Sequence, residues 1–144
     1  MNIYNEKVRF TKADWSDFFR SDYVSSKSGE TFSEVLTRYL DEFQSRYGVR
    51  QQNIANATGI SSTLIKRYRT AKTKPSLYNL VMLCIAMRLI IDRSEYLLYT
   101  AGYVLNNSTE HRIYKLFLNA CAFDAEYSAN NCKKALMDNH CTVE

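Results

Sequence analysis

Apolar residues recur along this chain at three- and four-residue intervals, with polar capping signals between the stretches. Phe32, Val35, Leu36, Tyr39, Leu40, Phe43 and Tyr47 fall on one stripe, which predicts a helix of about four turns. Thr31-Phe-Ser-Glu34 forms a capping box ahead of it, and Gly48 stands where a C-terminal cap is expected. A short helix is predicted from Gln51 to Ala57, with Ile54 and Ala55 inward and Gly59 ending it. Ser61 caps a third helix whose apolar positions are Leu64, Ile65 and Tyr68. Lys72 to Lys74 read as a polar loop closed by Pro75, because the residue before proline disfavours helix. Ser76 then caps a fourth helix with Leu77, Leu80, Val81, Cys84 and Met87 inside.

The same signals continue in both directions. Asp92-Arg-Ser-Glu95 and Asn107-Ser-Thr-Glu110 read as capping boxes. The first opens a helix with Tyr96, Leu97 and Leu98 that stops at Gly102; the second precedes Ile113, Leu116, Phe117 and Ala120. A last helix is expected from Asp124 to Met137. Near the N-terminus, Thr11 and Asp14 suit a helix start, with Phe10 and Trp15 as a hydrophobic staple. That helix should end by Arg20, before a polar linker from Ser25 to Glu30. One proline and four glycines leave little turn chemistry for a sheet. The expectation is an all-α protein: an N-terminal helical arm (1–30), a central helical domain (31–91) and a C-terminal helical extension (92–144).

Composition narrows the class. Hydrophobic content of 46% and charged content of 24% are those of a globular chain. The opening residues MNIYNEKVRF carry charges where a signal peptide is apolar. The longest apolar run, Leu80 to Ile91, is interrupted by Arg88 and too short to span a bilayer. A cytoplasmic protein with no membrane partner is expected. Cys84, Cys121, Cys132 and Cys141 show no CxxC pairing. They read as small hydrophobes or surface thiols, and a zinc site from Cys121, Cys132, His140 and Cys141 lacks the usual paired spacing. No Ser-His-Asp order, paired carboxylates or phosphate loop emerges, so neither an enzyme nor a cofactor is expected.

Charge adds a sharper feature. The net charge is +4. From Arg50 to Ser76 the chain carries Arg50, Lys66, Arg67, Arg69, Lys72 and Lys74 with no Asp or Glu, while the remainder holds 13 basic and 15 acidic residues. A basic segment in mildly acidic surroundings attracts phosphates; a solvated helix face would carry similar charges.

The pattern within that segment separates the two. Two short helices joined by a tight turn need a small residue where their backbones approach, supplied by Ala55, and a residue tolerant of positive φ in the turn, supplied by Gly59. Ile60 and Ile65 anchor the pair to the core. The second helix then shows Ser62, Thr63, Lys66 and Arg67 outward: short hydroxyls that allow approach to base edges, and long cations that reach guanines or phosphates.

Gln51, Ile54, Ala55, Thr58-Gly59-Ile60-Ser61, Ile65 and the stretch Lys72 to Leu77 resemble the phage-repressor and Cro-type (XRE-like) helix-turn-helix family of bacterial and phage regulators. The resemblance covers roughly residues 31 to 91 and implies a five-helix repressor-like domain. It implies that Gln51 bonds a phosphate and that Ser61 caps the recognition helix and touches the backbone. Ser62, Thr63 and Arg67 would read bases with Lys66 beside them, and Thr70, Lys72 and Lys74 would grip the phosphate backbone. Three positions depart from the family pattern. Arg50 replaces a Ser or Thr cap, Arg69 stands where many members carry Glu, and Ala71 where most carry Gly. Arg69 is thereby expected to lose an internal anchor and to add a phosphate contact. The expected function is sequence-specific binding of double-stranded DNA by a homodimeric transcriptional regulator, a repressor rather than an activator, joined through the helices from Arg93 to Asn139. The alternative is a protein-interaction module on the same scaffold, such as an antitoxin or a phage-factor-binding protein. No effector pocket is evident in the sequence.

Overall fold

Most of the described helices begin at a hydroxyl. The computed structural model describes residues 30–141. Among them are seven helices and no strand: α1 (Phe32–Tyr47), α2 (Gln51–Thr58), α3 (Ser62–Arg69), α4 (Leu77–Ala86), α5 (Ile91–Thr100), α6 (Thr109–Ala120) and α7 (Ala129–Asp138). The side chains of Thr31, Ser61, Ser76, Ser108 and Ser128 each accept from the backbone N–H three residues on, satisfying a donor the helix leaves open. Thr31 also completes the box. Its backbone N–H donates to Glu34 Oε1 at 3.0 Å, and these bonds hold the Glu34 carboxyl below the usual range. The arm and the helix expected from Thr11 to Arg20 lie outside the described residues.

Three starts differ from the sequence reading, each for a local reason. Helix α5 begins at Ile91 with no side-chain cap at Ile90. Burial of Ile90 positions it, and Asp92 falls inside the first turn, where its charge favours the helix dipole. The start of α6 is capped by Ser108, one residue beyond Asn107. Asp124 does not open α7. Its carboxylate accepts from the Glu126 N–H at 2.9 Å and its carbonyl from the Tyr127 N–H at 3.0 Å, a turn that delays the helix to Ala129. Residues 31–91 consequently hold four helices, and a fifth only begins at Ile91.

Helix ends share one device. After α3, α4, α5 and α7 a left-handed residue follows: Ala71 (φ 61), Arg88 (φ 55), Gly102 (φ 87) and His140 (φ 58). At α3 the Lys72 N–H reaches the Arg67 carbonyl at 3.0 Å and the Ala71 N–H reaches Tyr68 at 3.3 Å; at α4 Leu89 reaches Cys84 and Arg88 reaches Ile85. This is the Schellman pattern, which uses carbonyls the helix cannot.

The core centres on α4. Every residue from Leu80 to Met87 is at most 4% exposed, and the helix packs against α2, α5, α6 and α7. Tyr114, Phe117, Leu118, Cys121, Cys132 and Leu136 join the same cluster as Leu36, Ile54 and Ile65, so the C-terminal helices and the preceding ones share one core. Burial pushes the thiols of Cys84, Cys121 and Cys132 up to about 12. Two arginines are buried with partners. Arg93 pairs with Glu42 at 3.3 Å and stacks over the Tyr39 ring at 4.7 Å. Arg88 donates to the carbonyls of Cys121 and Asp124 at the end of α6. No helix among the described residues is long and apolar enough to cross a membrane.

Candidate nucleic-acid interface

Helices α2 and α3 meet through a turn of Gly59, Ile60 and Ser61. Gly59 takes φ 77, a left-handed conformation that costs a side chain but not glycine, and its N–H bonds the Ala55 carbonyl at 2.8 Å. Thr58 braces the same turn: its hydroxyl donates to the Ile54 carbonyl at 2.9 Å and accepts from the Ile60 N–H at 3.1 Å. Ile54, Ala55, Ile60 and Ile65 are all buried beneath it. The small and aliphatic residues singled out in the sequence therefore form the joint between the two helices.

The outward residues divide into free and engaged groups. On α3, Thr63, Lys66 and Arg67 are exposed, opposite the buried Ile65 and Tyr68. Arg67 Nε donates to Thr73 Oγ1 at 3.2 Å, tying this cation to the following loop. Ser61 caps α3, accepting from the Leu64 N–H at 3.1 Å. Thr70 ends the helix, its hydroxyl donating to the Lys66 carbonyl at 3.1 Å. Lys72 and Lys74 are exposed in the loop, and Lys74 Nζ lies 4.6 Å from the centre of the Tyr103 ring. The Tyr103 hydroxyl donates to the Pro75 carbonyl at 2.7 Å, so one tyrosine from beyond α5 holds both ends of that dipeptide.

Gln51 and Ser62 are engaged with each other. Gln51 Nε2 donates to Ser62 Oγ at 2.9 Å and to the Ser62 carbonyl at 3.1 Å, while its Oε1 accepts from Arg69 at 3.0 Å. The amide is thus a strut between the starts of α2 and α3. Arg69 is also held internally: it pairs with Asp41 of α1, and the Arg69 carbonyl accepts from Thr37. This corrects the expectation drawn from its position in the motif. Arg69 keeps an internal anchor with the charges reversed, because α1 supplies the acid. Ala71 adopts the left-handed conformation (φ 61) without being a glycine.

The resulting electrostatics are asymmetric. Arg50, Lys66, Arg67, Lys72 and Lys74 are exposed, and none forms an ion pair with a described residue. Among the described residues, only Arg69 of the acid-free segment is paired with an acid. Sequence reasoning missed Thr73 and Ser33. Both line a cavity of about 360 Å³ between the N-terminus of α1 and the loop, together with Thr31 and Lys74. No local spacing could have revealed it, since α1 and the loop are brought together only by packing. Among the described residues no cluster of three or more His, Cys, Asp or Glu side chains could hold a metal ion. No family description, curated protein or solved structure matches this chain.

Proposed function

We propose that this protein is a sequence-specific double-stranded DNA-binding regulator in which α2 and α3 form a helix-turn-helix within a five-helix repressor-like unit, α1 to α5. One observation carries the reading. A helix whose inner face is locked into the core presents Thr63, Lys66 and Arg67 together on the opposite face, in a segment without an acid. That is the requirement for entering a major groove: a rigid support, short side chains near the start and cations that reach base edges or phosphates. Thr63 and Arg67 read bases with Lys66 beside them, and Ser62 lies at the same approach. Lys72, Lys74 and Thr70 grip the backbone. Ser61 keeps its place at the helix start, and Gln51 aligns the two helices beside the phosphates. The protein acts as a homodimer and represses rather than activates. Exposed Leu116 and Met137 on the C-terminal section supply apolar surface for a second copy.

The test is binding to random and selected duplexes across a range of salt. Affinity should fall steeply with salt, and selection should yield a palindromic site. Arg67→Ala should relax preference at particular base positions, whereas Lys72→Ala should weaken all sequences similarly. Absence of binding at low salt sinks the reading and leaves a protein-interaction module as the alternative.

A further inference from the structure

Lys74 and Arg69 are cations of one acid-free segment, yet they are restrained by opposite means. Arg69 is held by the Asp41 carboxylate, which offsets its charge. Lys74 is restrained by groups that carry no negative charge. Its Nζ lies over the Tyr103 ring, 4.6 Å from the ring centre. It also stands beside the end of α5, where the helix dipole favours a cation; Thr100 and Ala101 line the same cavity. A Cβ at Gly102 would stand 3.6 Å from Nζ, which places the ammonium directly against the chain reversal after α5. Among the described residues no carboxylate forms an ion pair with Lys74.

The loop around this lysine is tied on both sides. Arg67 Nε donates to Thr73 Oγ1 on one side, and the Tyr103 hydroxyl donates to the Pro75 carbonyl on the other. Between the loop and the start of α1 lies a cavity of about 360 Å³ instead of packed side chains. Directed contacts, not apolar burial, therefore keep Lys74 in place. A lysine free in water gives up much of its rotamer freedom on gripping a phosphate. One already laid on a ring gives up less, and its charge is still whole.

We propose that Tyr103, which lies beyond α5 and outside the five-helix unit, is a positioning residue of the DNA interface. Its ring presets Lys74 to meet a backbone phosphate, and its hydroxyl fixes the ring on Pro75. This role rests on the DNA-binding reading and draws into the interface a residue that the helix-turn-helix does not contain.

A double-mutant cycle on the full chain tests it, read by binding to a random-sequence duplex over a range of salt. Tyr103→Leu keeps an apolar side chain at a half-buried position. It should weaken binding about three- to fivefold at low salt, the worth of an exposed cation–π contact, and reduce the salt slope by about one. Tyr103→Phe keeps the ring and should lie between Tyr103→Leu and wild type. In a Lys74→Ala background Tyr103→Leu should add almost nothing, whereas with Lys66→Ala the two losses should multiply. An equal loss with and without Lys74 overturns the role, because damage to the fold does not depend on that side chain. Wild-type binding by Tyr103→Leu overturns it as well. Without DNA, the Tyr103 ring current should move the Lys74 ε-methylene protons upfield, and Tyr103→Leu should remove that shift. Random-coil positions for these protons in the wild-type chain overturn the preset lysine. No binding by a wild-type chain that shows the ring shift sinks the DNA-binding reading and this role with it; binding without coupling to Lys74 sinks this role alone.

Discussion

Helix α4 is covered on every side by α2, α5, α6 and α7, whereas α3 rests chiefly on α1 and α2 and leaves its far face open. Both start at a serine cap and both end in a left-handed residue that is not glycine. Their backbones are therefore specified by the same local chemistry, and their surroundings differ completely. Helix α4 is secured by apolar burial. Helix α3 is secured on its polar flank by directed bonds: Gln51 to Ser62, Arg69 to Asp41, and Ser33 and Thr37 to the Tyr68 and Arg69 carbonyls. A helix that must keep one face available cannot draw on burial all round, and directed bonds hold it with less covered surface.

The comparison is broken most severely in α4. Leu83→Ala removes a side chain with 0% exposure, and the cavity left should cost about 2–5 kcal/mol in denaturant unfolding. Lys66→Ala on the open face of α3 should stay within about 0.5 kcal/mol of wild type. Equal losses would show that α3 is not the exposed partner.

Alkali should act on the buried side next. The thiols of Cys84 on α4 and of Cys121 and Cys132 in the same core are raised from 9.0 to about 12 by burial. An unfolded chain loses these protons first, so their contribution is fully present below pH 9 and declines as pH rises through the window to about 12. Melting temperature measured from neutral pH upward should fall across that window, and Cys84→Ala with Cys132→Ala should flatten the fall.

The last pair of effects concerns the two helix ends. Ala71→Gly relieves a left-handed alanine and should stabilise by up to about 1 kcal/mol. Arg88→Gly relieves the same backbone conformation but discards the bonds to the Cys121 and Asp124 carbonyls. Charged hydrogen bonds of this kind are worth about 1.5–3 kcal/mol each, so against a relief of up to about 1 kcal/mol the net change should be a loss of at least about 2 kcal/mol. Opposite signs in thermal unfolding confirm that the shared backbone device is supported differently in the two helices. A gain at both sites would remove that distinction.

Much of the helical layout is legible in the sequence. The stripe from Phe32 to Tyr47, the caps at Thr31, Ser61 and Ser76, and the turn at Gly59 each depend on residues within a few positions of one another. The full burial of α4 was less legible. The helical spacing predicts a single inward stripe of Leu77, Leu80, Val81, Cys84 and Met87; Leu77 is only half-buried, while the run from Leu80 to Met87 is buried continuously through cover from α6 and α7 on the other side. In the candidate interface, the exposure of Thr63, Lys66 and Arg67 followed from helical spacing. The engagement of Gln51 by Ser62 and Arg69 did not, because it depends on how three helices cross.

By itself, then, the sequence determined the places where helices begin, which faces are apolar, and where positive charge accumulates. Each of these is set by short-range sterics, by hydrogen bonds across three or four residues, or by simple composition. The tertiary structure decided which cations remain available. Arg69 and Arg67 are close in sequence and chemically identical, yet Asp41 and Gln51 hold the first while the second stays exposed. Pairing between charges depends on distance through space, and only the packing of α3 against α1 brings that distance within reach.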